Sequence, residues 1–205
     1  MTVRDVAIVT AAAGAGIGSA VARELAQRGM DVVITDAHER RTMEMAQQLS
    51  ELYEREFLGI PLDVSEEPAV KSAIEHVYER YGRIDVLVNN AGWNKLERIV
   101  DMSLETWRKC LAVNLEGCFY MLRHVLPIMI RQRKGAVVNI SSAAAWDASV
   151  EHGAYAAAKA GVLALTRVAA AEVGEYGVRV NAVVPGLIYN EFLKRIYPDS
   201  FFEGA

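Results

Sequence analysis

Val6-Ala7-Ile8-Val9-Thr10-Ala11-Ala12-Ala13-Gly14-Ala15-Gly16-Ile17-Gly18 reads as a short apolar strand, a glycine-bearing turn and the opening of a helix. Helical spacing continues from Ile17 to Arg28 and stops at Gly29. Glycines in such a turn let the backbone reverse tightly and approach a pyrophosphate, which rests on the free N–H groups of the helix N-terminus. A glycine cluster by itself is equally a plain strand-to-helix turn. Its context separates the two readings. Val32-Val33-Ile34-Thr35 is a second strand, and Asp36 follows it, twenty positions after Gly16, where a carboxylate accepts hydrogen bonds from an adenosine ribose. Asp36 also repels a 2′-phosphate, which points to NAD(H). Arg40 and Arg41 leave NADP(H) possible, although solvated charges at a helix start are the plainer reading of His38-Glu39-Arg40-Arg41.

The alternation continues along the chain. A charged helix spans 39 to 53, a third strand runs from Phe57 to Leu62, and a helix spans 66 to 81 with Ser65 placed to cap it. Val86-Leu87-Val88 is a fourth strand. A long helix covers 104 to 131, with Ser103 as its cap and Pro127 as a kink or break. Ala136 to Ile140 is the fifth strand, 154 to 176 an Ala-rich helix, and Val178 to Val184 the sixth strand. Short, continuously apolar strands are what a parallel sheet covered on both faces requires. Strands alternating with helices give an α/β fold with a doubly wound parallel sheet, Rossmann-type.

The 205 residues suit one domain. A net charge of -4 argues against nucleic acid as the partner. The apolar run Val125-Leu126-Pro127-Ile128-Met129-Ile130 falls far short of a membrane span, and the N-terminus carries no secretory signal, so a cytoplasmic protein is expected. Cys110 and Cys118 sit in one helix, eight positions apart; they read as buried reduced thiols, and no metal site is expected.

Tyr155-Ala156-Ala157-Ala158-Lys159 sets a phenol and an ammonium one turn apart on one helix face. Tyrosine ionises near pKa 10, and a neighbouring Lys⁺ brings that value toward one useful for acid–base work. Ser142, thirteen residues upstream and just past the fifth strand, delivers a hydroxyl to the same end of the sheet. Asn114, in the long helix, either holds a proton-relaying water near Lys159 or is a helix-interior amide bonded to backbone. Asp63-Val64 and Asn89-Asn90-Ala91-Gly92 close the third and fourth strands; each is also a plausible plain turn.

Thr10 to Gly18, Asp63-Val64, Asn89 to Gly92, Asn114, Ser142, Tyr155 with Lys159, and Pro185-Gly186 together resemble the ordered signature of the short-chain dehydrogenase/reductase family. The resemblance implies the strand order 3-2-1-4-5-6 and an oxidoreductase that interconverts a secondary alcohol and a ketone. Tyr155 matches the family's general acid/base, and Lys159 the residue that lowers the tyrosine pKa and holds the nicotinamide ribose. Ser142 matches the group that hydrogen-bonds the substrate oxygen, and Asn114 the relay asparagine. Thr10, Gly14, Gly16, Ile17 and Gly18 match the pyrophosphate turn, Asp63 and Val64 the adenine contact, and Asn90, Ala91 and Gly92 the cofactor-side turn. Pro185, Gly186 and Ile188 complete the expected NAD site. The Ala-rich turn and His38 to Arg41 are similar to 3-oxoacyl reductase-like members, including ones acting on acyl-CoA products of steroid-ring breakdown.

The chain departs from the pattern in two ways. Ala11 stands where the family places the first glycine of the turn, so either Gly14 takes over that turn or an alanine bears the strain of a positive φ, about 1 to 2 kcal/mol. The chain also reads as C-terminally short, with a dinucleotide-binding domain over 1–190 and the start of an incomplete substrate lid over 191–205; Asn190 falls where the family often has a carboxamide-binding threonine. A truncated, non-catalytic cofactor-binding or interaction protein is therefore the rival expectation. Trp146, Val150 and His152 either line the substrate pocket or serve only their loop. The expected partners are a small-molecule substrate and further copies of the chain, as a homodimer or homotetramer built through the long helix and the helix carrying Tyr155.

Overall fold

The computed structural model describes residues 4–188. Six parallel strands form one sheet: β1 (Val6–Val9), β2 (Asp31–Asp36), β3 (Gly59–Pro61), β4 (Val86–Asn89), β5 (Gly135–Ile140) and β6 (Val178–Val183). Their order is β3-β2-β1-β4-β5-β6, so the strand order reverses beside β1, as the sequence leads one to expect. Helices α1 (Ile17–Gln27) and α2 (Glu39–Tyr53) pack on one face. On the other face lie α3 (Glu67–Tyr81), α5 (Gly117–Gln132) and α6 (Gly153–Val173), with α4 (Leu104–Leu111) leading into α5.

All four residues of β1 are buried. Val6 and Ile8 join the core under α3 and α5, whereas Ala7 and Val9 join the core under α1 and α2. That two-sided burial is the physical reason for an apolar run without alternation. At the amino end of the sheet, the buried Asp85 carboxylate accepts from the Val6 backbone N–H at 2.9 Å and from Arg83 Nε at 2.7 Å, tying β1 to β4.

Several elements differ locally from the sequence reading. The third strand is shorter than Phe57 to Leu62 because Phe57 turns into the core beneath α2, its N–H donating to Ser50 Oγ. Ser65 does not cap α3: its hydroxyl donates instead to Asp63 Oδ1 at 2.7 Å, and Glu66 is the N-cap. Ser103 does cap α4, accepting from the Thr106 N–H at 3.0 Å. The long helix is one continuous path, but its turn over Ala112–Glu116 is π-helical. Pro127 does not break it into two; Val125, Ile128 and Met129 are buried around it, and that packing sustains the turn despite the missing amide. Asn190 and the expected lid segment over 191–205 lie outside the described residues.

Candidate active site

The carboxyl ends of the six strands bring the sequence-selected residues to one edge of the sheet. Thr10 leaves β1, Asp36 closes β2, Asp63 follows β3, Asn90 follows β4, Ser142 follows β5 and Pro185 follows β6. In open α/β sheets this is where ligands bind.

The turn after β1 is held from β4. Thr10 Oγ1 accepts from the backbone N–H groups of Asn90 and Ala91, both at 2.9 Å. In return, Asn90 Nδ2 donates to the carbonyls of Thr10 at 2.9 Å and Ala11 at 3.2 Å. Ala11 takes the left-handed backbone with φ 49°, so an alanine does carry the turn and Gly14 does not replace it. Gly18 is where the helix must come close: a Cβ there would lie 2.4 Å from both Ala11 O and Asn90 Nδ2. Around Gly14 and Gly16, by contrast, a Cβ would meet nothing within 4 Å. The α1 N-terminus has no side-chain cap and no acidic residue in its first turn, so no side chain there offsets the partial positive charge of its N–H groups.

Asp36 is almost fully buried, and its Oδ1 accepts from the His38 N–H at 2.9 Å and from Arg41 Nη2 at 3.4 Å. Among the described residues, no hydrogen bond reaches its other oxygen. Arg40 pairs with Glu44 along α2, away from Asp36. Asp63 is exposed and occupied by Ser65, while Val64 is buried against Gly117 of α5, where a Cβ would come within 2.6 Å of it.

Tyr155 and Lys159 share one face of α6, the Lys159 Nζ lying 5.5 Å from the Tyr155 ring centroid. Lys159 is buried, and its Nζ donates to Ile140 O at the end of β5 at 2.8 Å. Ser141 Oγ reciprocates by donating to Lys159 O at 2.9 Å. The strand end bearing Ser142 and the helix bearing Tyr155 are thus fastened together from both sides. Ser142 itself caps a short 3-10 turn over Ala143–Ala145, and the Ala143 N–H donates to Pro185 O, bringing Pro185-Gly186 alongside. Ile188 is exposed nearby in the chain. Burial pulls the Lys159 ammonium down to about 8, with the Cys118 and Cys110 sulfurs pulling it back upward. The same burial pushes the Cys118 thiol up to about 12, which makes it a poor nucleophile.

Asn114 stands in the π turn and is buried. Its Nδ2 donates to Trp93 O at 2.7 Å and to Cys110 O at 2.9 Å, and its Oδ1 accepts from the Trp93 N–H at 3.4 Å. The amide therefore pins the loop after β4 to the helix. Gly92 lies between it and the lysine: a Cβ there would be 3.0 Å from Asn114 Oδ1 and 3.7 Å from Lys159 Nζ. Trp146 and Val150 are 74% and 79% exposed in the loop between Ser142 and α6, and the His152 ring meets the Tyr155 ring edge-on at 6.3 Å.

Three features of this neighbourhood escape a reading by motif. Ser141 and the Ile140 carbonyl hold Lys159, Gly117 and Gly161 admit Val64 and Leu115, and Asn89, Asn139 and Thr166 form a buried polar row. Asparagines closing the fourth strand and embedded in the fifth were the available signal for the last of these. Among the described residues, no group of three or more His, Cys, Asp and Glu side chains is placed to hold a metal ion, and no helix is long and apolar enough to cross a membrane.

A family model described as short chain dehydrogenase matches residues 5–200. The chain belongs to the short-chain dehydrogenase family. It is 44% identical over 191 residues to the (5R,7aS)-5-hydroxy-7a-methyl-1-oxo-2,3,5,6,7,7a-hexahydro-1H-indene-carboxyl-CoA reductase of Mycobacterium tuberculosis, spanning 93% of this chain and 73% of the relative. It is 37% identical over 173 residues to a 3-oxoacyl acyl-carrier-protein reductase of Aquifex aeolicus, spanning 84% of this chain and 70% of the relative. The solved structure of an NAD⁺-bound xylitol dehydrogenase superposes with a TM-score of 0.88 at 31% identity, over 94% of this chain and 74% of that one. As a short-chain dehydrogenase, the chain is a cofactor-dependent oxidoreductase of alcohols and ketones. The similarity extends to the two expected branches, the 3-oxoacyl reductases and the ring-bearing acyl-CoA reductases, and it does not favour the rival of a non-catalytic binding protein.

Proposed function

We propose that this short-chain dehydrogenase uses NAD(H) to interconvert a secondary alcohol and a ketone carried on an acyl thioester. One observation carries the reading: Tyr155 and a buried Lys159 stand a turn apart on α6, and Lys159 is bonded to the end of the strand that presents Ser142. In this reading Ser142 donates to the substrate oxygen and orients it. Tyr155 gives the proton to that oxygen during reduction and takes it back during oxidation. Lys159, charged at neutral pH, stabilises the phenolate that remains. Asn114 keeps the loop around Trp93 in place and stands at the proton-relay position beside Lys159. Nicotinamide supplies or accepts the hydride when bound.

The residues around the cofactor site fit such a group. Gly14 and Gly16 offer open space for the pyrophosphate at the uncapped N-terminus of α1, Thr10 and Gly18 with Ile17 hold the turn and helix in place around it, and Asp36 keeps one oxygen for a ribose hydroxyl. Asp63 and Val64 flank the adenine position, Asn90, Ala91 and Gly92 the middle of the cofactor, and Tyr155, Lys159, Pro185, Gly186 and Ile188 its nicotinamide end. Asp36 supports NAD(H) over NADP(H), since a buried carboxylate repels a 2′-phosphate and its nearest arginine is already paired with it. Exposed apolar side chains at Trp146 and Val150, with Ile99 packed at the start of α6, suit a bulky alicyclic or acyl ketone, in keeping with the named substrates of the two relatives.

The test is oxidation of NADH, and separately of NADPH, with a panel of β-ketoacyl thioesters and cyclic ketones. Turnover with NADH on at least one thioester is expected. Preference for NADPH overturns the cofactor assignment, and turnover confined to free sugars or polyols overturns the substrate class.

A further inference from the structure

Asn89 closes β4 directly opposite Asn139 of β5. The orientation of both amides is fixed from a distance. Thr166 Oγ1 donates to Val162 O at 2.7 Å, and since a carbonyl only accepts, the hydroxyl proton is committed there. The hydroxyl oxygen then accepts from Asn139 Nδ2 at 2.9 Å, which turns Asn139 Oδ1 toward Asn89, where it accepts from Asn89 Nδ2 at 2.8 Å. Asn89 is left with its Oδ1 buried and without a hydrogen-bond partner among the described residues, at 6% exposure. An orphaned acceptor of this kind costs about 1 to 3 kcal/mol, and native interiors commonly satisfy it with an ordered water.

Asn89 and Lys159 line the same small cavity, together with Thr10, Asn114, Cys118 and Ile140. An ammonium has three N–H donors, and the bond to Ile140 O uses one. The cavity is therefore bordered by an acceptor lacking a donor and by a cation with donors to spare. On the reading that Lys159 is the charged partner of Tyr155, we propose that Asn89 is a positioning residue: one buried water donates to Asn89 Oδ1 and accepts from Lys159 Nζ, solvating the ammonium from behind. The row Val162–Thr166–Asn139–Asn89 then fixes the direction of that water's dipole, and with it the place of the charge beside Tyr155. The other titratable groups facing Lys159 are Cys118 from α5, Cys110 from α4 and Tyr155 from its own helix; burial holds both thiols neutral, so neither sets a negative charge beside the ammonium, and the Cys118 S–H, beside Asn89 in the same cavity, is the rival donor to Asn89 Oδ1.

A high-resolution crystal structure of the unliganded chain should show a water within hydrogen-bond reach of both Asn89 Oδ1 and Lys159 Nζ. Asn89→Leu, close in shape but without the acceptor, should lower the Lys159 titration midpoint by about one pH unit or more, measured by nitrogen-15 NMR of the lysine side chain. The alkaline limb of the pH–rate profile should fall with it. A role confined to holding β4 against β5 would lower stability and leave that titration in place. Density showing Cys118 Sγ closed on Asn89 Oδ1 with no water overturns the proposal, as does an unmoved Lys159 titration in folded Asn89→Leu. If that variant does not fold, the density in the parent chain decides alone. Density and NMR need no substrate, so a failure of the oxidoreductase reading is seen separately, as absent turnover.

Discussion

Gly18→Ala should unfold the cofactor turn, whereas Gly16→Ala should leave the fold intact and impair binding. A methyl at Gly18 would sit 2.4 Å from Ala11 O and 2.4 Å from Asn90 Nδ2, about 1 Å inside ordinary contact, and 3.0 Å from Ala11 C. The obstructing oxygen is backbone, in a turn already bearing a positive φ, so it has little freedom to retreat. Displacing Asn90 loses its bonds to Thr10 and Ala11, about 1 kcal/mol each, and overpacking adds about 1 to 3 kcal/mol. Alanine recovers about 1 kcal/mol of helix propensity, which leaves a net loss of about 2 to 4 kcal/mol. In a chain of this size that is a fall in Tm of roughly 5 to 15 °C. At Gly16 the backbone is extended and a methyl meets nothing within 4 Å, so Tm should hold while NADH affinity falls, the methyl occupying space assigned to the pyrophosphate. Thermal denaturation of both variants without cofactor, followed by fluorescence titration with NADH, separates the two effects. A Gly18→Ala chain as stable as its parent refutes the close-approach argument, and unaltered NADH binding by Gly16→Ala refutes the placement of the pyrophosphate.

Asp36→Ser should weaken NADH binding by about 10- to 100-fold, the loss of charged hydrogen bonds to a ribose, and narrow or reverse the preference over NADPH, as read by titrating each cofactor. Asp85→Asn should cost about 2 to 3 kcal/mol at neutral pH in urea denaturation. Burial pushes the Asp85 carboxyl up, but hydrogen bonds from Arg83 and the Val6 N–H, with the charges of Arg83 and Lys134, outweigh it and hold it below its ordinary value. The folded-state value is thus the lower one, so its contribution is complete above the unfolded value near 3.8 and is lost on further acidification. The gap between parent and variant should accordingly close below about pH 4. Leu104, Trp107, Phe119 and Val168 leave apolar surface exposed on α4, α5 and α6, and light scattering at micromolar concentration should find a homodimer or homotetramer; a monomer contradicts that assembly.

The strands were legible because burial on both faces leaves no alternative to a continuous apolar run, and Val6–Val9 shows this most plainly. Site residues at strand ends were legible for a related reason: Asp36, Asn90 and Ser142 interrupt apolar runs at the position where the chain leaves the sheet. What sequence periodicity missed is set by contacts distant in the chain. The π turn at Ala112–Glu116 preserves an ordinary helical pattern, and its Asn114 is held by Trp93, 21 residues earlier. Ser65 had a capping residue's place and type, yet the stronger acceptor Asp63 lay two positions away. Phe57 carries the side chain of a strand and is buried as one, but beneath α2, outside the ladder.

The account rests on Tyr155 as the proton donor and acceptor, and Tyr155→Phe tests it with the removal of one oxygen. Because the hydroxyl acts in the transition state, turnover of a ketone that the parent chain reduces should fall by at least about 1,000-fold, while the dissociation constant for NADH stays within a few-fold. Turnover near that of the parent, with NADH binding equally unchanged, would contradict the central claim.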